Sequence, residues 1–389
     1  MLLLPNFTLA LFNMKNIFEK QQASSGRLIS LDAFRGITIA LMITVNDAGN
    51  WDYVYAPLEH AEWNGVTPTD LVFPFFLYIV GVSIALAYTK RLKMGLPKMD
   101  MYKKILYRSL KIFGVGIFLA LLTPIMHGFQ DFHLSDLRIV GVLQRIAIVF
   151  FVCAILFLNT DWKVQAKIGA TILVLYYIVM MFVPVPGAGI PMLEPGPDKN
   201  IAHWIDSFIT PGRLYRGTWD PEGLFSTLPA IVTGITGMLA GTLILSNQSQ
   251  ERKILWLFSL GFLAFVIGGA WDWFFPINKR LWTSSYVMYT SGAASMTLAT
   301  SLFFVDLLGY KKWTKMGIIF GANAITVYVL AGIFYRIFHM TGIREATFNG
   351  MVTIGIEPKL ASFIYAILFT LVCYIPIYFM YKKKIFVKL

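Results

Sequence analysis

One short polar segment contains the residue types that acid–base chemistry needs. His60 lies in WDYVYAPLEHAEWNG, which has no Lys or Arg, and Asp70 follows it by ten residues. Histidine is the side chain most easily used as a base or nucleophile near neutral pH, and a carboxylate beside it can orient the ring. We therefore predict that His60 is catalytic and that Asp70 assists it. The alternative is a loop histidine that serves only as a structural hydrogen-bond donor.

A second set of polar residues lies in the apolar segment ISLDAFRGITIALMITVN. Asp32 and Arg35 are three residues apart and share a helix face, which favours an ion pair. Asn46 returns to the face of Arg35 after a rise of roughly 16 Å. A long ligand with an anionic end would contact both Arg35 and Asn46. The alternative is an ion pair that extends to the membrane interface and binds nothing.

A basic residue also lies inside a later apolar segment, VLQRIAIVFF, where Gln144 precedes Arg145. An unpaired arginine at membrane depth is costly, so Arg145 requires a partner. Either a carboxylate such as Asp32 or Asp70, or the anionic group of a bound ligand, can supply it. Both alternatives remain open at the level of sequence.

A third polar set lies in FGANAITVYVL, where Asn323 and Tyr328 either contact a ligand or form hydrogen bonds between helices. We predict a cofactor site made of polar residues from all three apolar segments. Its predicted residues are Asp32, Arg35, Gln144, Arg145, Asn323 and Tyr328.

The composition indicates the elements that position these residues. The chain of 389 residues is 57% apolar and only 14% charged, whereas a soluble domain carries about 25% charged residues. The net charge of +12 is spread over short clusters between apolar runs, which is typical of a membrane protein and argues against nucleic-acid binding. Cys153 and Cys373 both lie in apolar runs, and no Cys/His spacing predicts a metal site.

Ten apolar runs have about the 20-residue length that a helix needs to cross a bilayer. They predict an all-α, polytopic membrane helix bundle of about ten transmembrane helices. The positive-inside rule places both termini in the cytoplasm, because twenty Lys and Arg then lie inside and eight outside. The runs lie near residues 29–48, 70–89, 105–124, 139–158, 166–184, 224–245, 254–275, 286–308, 316–338 and 360–380.

This arrangement divides the chain into three parts. Residues 1–28 form a cytoplasmic leader, residues 29–381 the transmembrane domain, and residues 382–389 a basic cytoplasmic tail. The outer loops are residues 49–69 and 185–223, and WIDSFI within the longer loop predicts a short interfacial helix.

Several segments together resemble the transmembrane heparan-α-glucosaminide N-acetyltransferase family. RLISLDAFRGITIALMITVN, LEHAEWNG and TPTDLVFPFFLYIVGVS follow in the order and spacing of that family. RIVGVLQRIAI, WDPEGLFSTLPAIVTGITGMLAG, PINKRLWTSSYV and FGANAITVYVL resemble its bacterial branch. The L-D-x-x-R-G opening also resembles the wider transmembrane acyltransferase group. The resemblance covers about residues 27–335.

The resemblance implies transfer of the acetyl group of cytosolic acetyl-CoA, as co-substrate, to the amine of a glucosamine-type sugar on the far side of the membrane. In the family segment H-A-x-W-N-G the histidine is catalytic, which corresponds to His60, and the asparagine that closes the first span matches Asn46. We expect a multi-pass protein of the cytoplasmic (inner) membrane. The residues expected to contact the acceptor are Glu62, Trp63, Asn64, Asn278 and Lys279.

Alternative functions remain open at this level. An O-acyltransferase of envelope glycans would share the helices and the histidine, and a secondary transporter of amino sugars would share the buried charges. The prolines within the spans, Pro74, Pro229 and Pro376, do not form the paired pattern of many transporters. We therefore favour the N-acetyltransferase, with acetyl-CoA, an amino sugar and the lipid bilayer as partners. Direct transfer, an acetyl-histidine intermediate and a homodimer all remain open.

Overall fold

A computed structural model describes residues 28–130 and 132–387, and their regular structure is helical apart from isolated β-bridges. The predicted leader, except for residue 28, and the last two residues of the predicted tail lie outside the described residues. The α-helices in the described ranges are α1 (Ile29–Asn46), α2 (Val72–Lys93), α3 (Lys98–Met126), α4 (Val142–Asn159), α5 (Trp162–Phe182), α6 (Ile201–Ile209), α7 (Leu224–Ile244), α8 (Gln250–Trp271), α9 (Ser284–Ser301), α10 (Lys315–Ala322), α11 (Ala324–Met340), α12 (Ile343–Thr353) and α13 (Pro358–Lys382).

The predicted polytopic helical bundle is confirmed, and two of the ten predicted runs do not form a single long apolar helix. Within the described residues, eight helices are long and apolar enough to cross a membrane, or nine if one bent pair counts as a span. The eight are α1, α2 with its preceding 3₁₀ turn, α3, α4, α5, α7, α8 and α13. The orientation with both termini in the cytoplasm stays a prediction.

Two of the ten predicted runs account for the difference. The run at 316–338 is the bent pair, because α10 and α11 meet at an angle of 74° around Asn323. The run at 286–308 corresponds to α9 and the six-residue π-helical segment Leu302–Leu307 that follows it. Helix α9 is rich in Ser and Thr, and its buried hydroxyls bond to neighbouring helices, as Ser284 does to the carbonyl of Leu173. Helix α9 is therefore packed in protein, where polar hydroxyls are tolerated.

Glycines bring α1 into direct backbone contact with α10. A Cβ atom on Gly36 would lie 1.7 Å from the carbonyl oxygen of Gly317. A Cβ atom on Gly321 would lie 2.4 Å from the carbonyl oxygen of Asp32. This contact holds the helix that carries Arg35 near one end and Asn46 at the other.

Three loops meet at the end of the bundle where α1 terminates. The indole Nε1 of Trp63 donates to the carbonyl of Leu193 at 2.6 Å, which joins the first outer loop to the long one. The backbone N–H of Gly65 donates to the carbonyl of Ile277 at 2.7 Å, which joins the first loop to the connection between α8 and α9. The predicted helix WIDSFI is confirmed as part of α6 in the long loop.

We predict that Gly36→Ala lowers the midpoint of thermal unfolding, because overpacking of a close contact costs about 1–3 kcal/mol. Gly114→Ala is the matched control, since an added Cβ meets no atom within 4 Å there and alanine is the better helix former. Thermal unfolding of both variants in detergent tests this contact. A Gly36→Ala protein as stable as the Gly114→Ala protein would contradict the close approach of α1 and α10.

Candidate functional site

His60 and Asp70 form a hydrogen-bonded pair at the outer-loop end of the bundle. His60 Nδ1 lies 2.7 Å from Asp70 Oδ1. Asp70 is 1% exposed, and as an ionised carboxylate it accepts a hydrogen bond from His60 when the imidazole carries its hydrogen on Nδ1. The other ring nitrogen, Nε2, then has its lone pair available. The side chain of His60 is 37% exposed, so this nitrogen is accessible.

The fold of the loop around Asp70 explains why the pair forms. Asp70 Oδ2 accepts the backbone N–H groups of Ala61 at 3.0 Å and Thr67 at 3.1 Å. Thr67 and Asp70 form a capping box at the start of the 3₁₀ turn that precedes α2. The carboxylate therefore positions the backbone of the loop before the turn as well as the imidazole of His60.

Lys279 joins this pair from the connection between α8 and α9. Its Nζ lies 3.3 Å from Asp70 Oδ1 and 3.0 Å from His60 Nδ1. Burial lowers the pKa of Lys279, and the ion pair with Asp70 opposes that effect. Of the residues predicted to contact the acceptor, Lys279 is the one that the structure brings against His60.

Two adjoining cavities open beside this cluster. One, of about 630 Å³, is lined by His60, Asp70 and Lys279. The other, of about 650 Å³, extends between α1, α3, α4 and α11 and is lined by Gln144 and Tyr328. Both cavities are lined by Asn46, Arg138, Tyr215 and Tyr335. Asn46 therefore lies where the two cavities meet. A residue in this position is within reach of a reactant in either cavity.

A third cavity, of about 380 Å³, lies toward the opposite ends of α1, α3 and α11 and is also lined by α2 and α4. It is rich in cationic and aromatic side chains. Arg35 lies on α1 and forms an ion pair with Asp32. The cationic residues that line this cavity are Arg35, Arg91, Arg108 and Lys111.

Two residues predicted to bind a cofactor form hydrogen bonds within the protein. The side chain of Asn323 donates to the carbonyl of Ile385 at 3.1 Å and accepts the N–H of Val387 at 2.9 Å. Arg145 is 1% exposed, donates to the carbonyl of Gly223 and to Ser226 Oγ, and lies 5.0 Å from the ring of Trp282.

Neither carboxylate suggested as a partner for Arg145 serves as one. Asp32 pairs with Arg35, and Asp70 pairs with His60 and Lys279. Arg145 also lies behind Trp282, which lines the His60 cavity, and does not itself line any of the three cavities. These contacts engage one amino group of Arg145, while its Nε and other amino group have no hydrogen-bond partner in the described residues, and its binding of a cofactor stays a prediction.

The remaining residues predicted to contact the acceptor hold the loop and do not line the His60 cavity. The Glu62 carbonyl accepts from Arg280, and Asn64 Oδ1 accepts from Asn278 Nδ2 at 3.1 Å. The Trp63 ring packs edge-on against Trp219 in the long outer loop. Their contact with an acceptor stays a prediction.

Some residues that line the cavities were missed in the sequence. Arg138 donates two hydrogen bonds, of 2.6 and 2.7 Å, to the buried Asp220 and a third to Glu222. The acidic W-D-P-E-G segment was the available indication in the sequence, but Arg138, which pairs with it, lies some 80 residues earlier in the chain. Asp47 directly follows Asn46 and lines the larger cavity, and burial raises its pKa well above the usual value.

Comparison with known proteins adds an independent finding. The family model described as "Heparan-alpha-glucosaminide N-acetyltransferase, catalytic" matches residues 27–267. The chain is 30% identical to the heparan-alpha-glucosaminide N-acetyltransferase of Mus musculus, over 80% of this chain and 54% of that protein. It is 29% identical to the Homo sapiens protein of the same name, over 93% of this chain and 60% of that protein. The chain therefore spans little more than half the length of these relatives.

We predict that Arg145→Lys lowers the thermal stability of the ligand-free protein and leaves its affinity for CoA within about twofold of the wild type. Lysine keeps the charge but loses the planar donor geometry, and a buried charged hydrogen bond contributes about 1.5–3 kcal/mol. Arg252→Lys is the control, because Arg252 is exposed at the start of α8. Thermal unfolding with and without CoA tests this. Weaker CoA binding at unchanged stability would show that a ligand is the partner of Arg145.

Proposed function

Because the chain belongs to the heparan-alpha-glucosaminide N-acetyltransferase family, we propose that it transfers the acetyl group of acetyl-CoA to the amine of a glucosamine-type sugar. The observation that carries this proposal is the His60–Asp70 pair in a cavity that meets a second cavity at Asn46. The second cavity takes the thioester arm of the donor, and the His60 cavity takes the acceptor. The protein acts in the cytoplasmic membrane, with the acceptor on the outer side.

The cationic cavity supports a site for the phosphates of CoA. Arg91, Arg108 and Lys111 contact aromatic rings there, and none of the three has a carboxylate partner among the described residues. Uncompensated guanidinium groups are well suited to phosphate, which they bind with two parallel hydrogen bonds. This cavity lies at the lysine-rich end of the helices, which the positive-inside rule assigns to the cytoplasm.

The distance between Arg35 and Asn46 along α1 suits a donor that has phosphates at one end and a thioester at the other. Arg35 lines the cationic cavity, and Asn46 lines both outer cavities. The helix rise between them is roughly 16 Å. A donor whose phosphates lie near Arg35 therefore extends its thioester between the helices toward Asn46.

The reaction follows from the positions of Nε2 and Asn46. The acceptor nitrogen forms a bond to the thioester carbonyl carbon while His60 Nε2 takes a proton from that nitrogen. Negative charge develops on the carbonyl oxygen, and the Asn46 amide donates a hydrogen bond to it. The C–S bond then breaks, and the leaving thiolate receives the proton from His60. The products are the N-acetylated sugar and free CoA.

Two adjoining cavities support direct transfer over an acetyl-histidine intermediate. Each cavity exceeds 600 Å³, so donor and acceptor have room to bind together. Bringing both reactants together converts a bimolecular step into an effectively unimolecular one. Asp70 meanwhile holds the imidazole in one tautomer and stabilises the imidazolium that forms during transfer.

We predict that His60→Ala reduces transfer by about 10²–10⁴-fold, the usual loss when a general base is removed, while CoA binding is retained. The assay incubates the purified protein with acetyl-CoA and glucosamine and measures free CoA and N-acetylglucosamine. His133→Ala is the control, because His133 is an exposed loop histidine away from the cavities. Wild-type turnover by the His60→Ala protein would contradict the assignment.

We also predict that Arg108→Gln raises the KM for acetyl-CoA about tenfold or more, because a charged hydrogen bond contributes about 1.5–3 kcal/mol. The KM for glucosamine should not change, since the acceptor binds at the other end of α1. Lys103→Gln is the matched control, as Lys103 is an exposed cation on the same helix. An unaltered KM for acetyl-CoA in Arg108→Gln would remove the cationic cavity from the donor site.

A further inference from the structure

The His60 cavity contains more positive charge than the protein itself neutralises. Its carboxylates, Asp70 and Glu222, are paired with Lys279 and Arg138 respectively, and Arg138 is also paired with the buried Asp220, so four cations meet three carboxylates. Two further arginines, Arg216 and Arg280, line the same cavity. Neither of them forms an ion pair with a carboxylate in the part of the chain that the structure describes.

These two arginines come from different loops, and Arg280 is half-buried whereas Arg216 is exposed. Arg280 Nε donates to the carbonyl of Glu62 at 3.0 Å, and its guanidinium lies 5.8 Å from the ring centroid of Trp219. Arg216 lies 5.3 Å from the ring of Tyr215. Burial, together with the neighbouring charge of Arg216, lowers the pKa of Arg280. Two like charges that the fold brings together at one cavity are stabilised when an anion binds between them.

We propose that Arg216 and Arg280 bind an acidic group of the acceptor, so that the acceptor is an amino sugar that carries a carboxylate or a phosphate. This inference rests on the proposed function and specifies its acceptor. Arg280 directly follows Lys279, which contacts His60, so the acidic group binds next to the reacting amine. The guanidinium fork suits carboxylate and phosphate alike.

The other anion that these arginines can meet is the phosphate end of CoA. The cationic cavity already provides Arg91, Arg108 and Lys111 for those phosphates. The Arg216–Arg280 site is instead in the cavity of His60, among loops at the outer end of the bundle. We therefore assign it to the acceptor.

The test compares binding of three sugars to the purified full-length protein by calorimetry. Glucosamine carries no acidic group, muramic acid carries a carboxylate, and glucosamine 6-phosphate carries a phosphate. We expect at least one acidic sugar to bind about tenfold or more tightly than glucosamine, and the comparison of the two identifies the acid. Arg280→Gln and Arg216→Gln should reduce this preference to less than about threefold.

Lys199→Gln controls for the loss of one positive charge from the same side, because Lys199 lies in the long outer loop and pairs at the surface with Glu194. It should keep the preference for acidic sugars. The transfer assay, run in parallel, should show the same preference in kcat/KM with an unchanged KM for acetyl-CoA.

Equal binding of all three sugars, or a preference that survives both arginine substitutions, would overturn the inference. So would a raised KM for acetyl-CoA in Arg280→Gln with no change for the sugars, because the site would then serve the donor. Absence of transfer to any sugar would contradict the proposed function, and the binding comparison would still decide whether the anion site exists.

Discussion

The buried carboxylate of Asp70 is the group on which the arrangement of the site depends. One oxygen lies near His60 and Lys279, and the other accepts two backbone N–H groups of the preceding loop. The backbone carbonyl of the same residue accepts the hydroxyl of Tyr286 on α9 at 2.6 Å. A buried carboxylate is stable when several groups donate hydrogen bonds to it, and the same hydrogen bonds fix the positions of the donor groups. The imidazole of His60, the loop and α9 are therefore all held by the same residue.

The cations in and near the cavities differ in whether a carboxylate of the protein pairs with them. Arg138 is paired with Asp220 and Glu222, whereas one amino group of Arg145 donates to a carbonyl and a hydroxyl and its Nε and other amino group have no hydrogen-bond partner in the described residues. Both tie the start of α4 to the long outer loop and the start of α7. Leaving a charge uncompensated at membrane depth is costly, so such cations mark places where a ligand completes the structure. In the cationic cavity Arg91, Arg108 and Lys111 have no ion-pair partner among the described residues, and in the His60 cavity the same holds for Arg216 and Arg280.

Particular residues show what the structure adds to a prediction made from the sequence. His60, Asp70 and Lys279 were predicted for the site, and they contact one another in the structure. Asn323 has the polar character of a ligand-binding residue, yet its amide joins the start of α11 to residues 385 and 387. Trp63 and Asn64 lie in a family motif beside the histidine, yet their polar atoms hold neighbouring loops. The type of a residue shows that it needs a partner but does not show which partner it has.

The sequence by itself determined the class of this protein, because apolar runs of membrane length and a bias of basic residues follow from local composition. It also determined the candidate histidine and the family, because both depend on short runs of neighbouring residues. Only the tertiary structure decided which cations are compensated, how far the cavities extend, and that α9 is buried in protein. Those properties depend on contacts between residues tens to hundreds of positions apart, such as Arg138 with Asp220 and Asp70 with Lys279. Such contacts exist only once the helices have packed, and no local pattern of residue types encodes them.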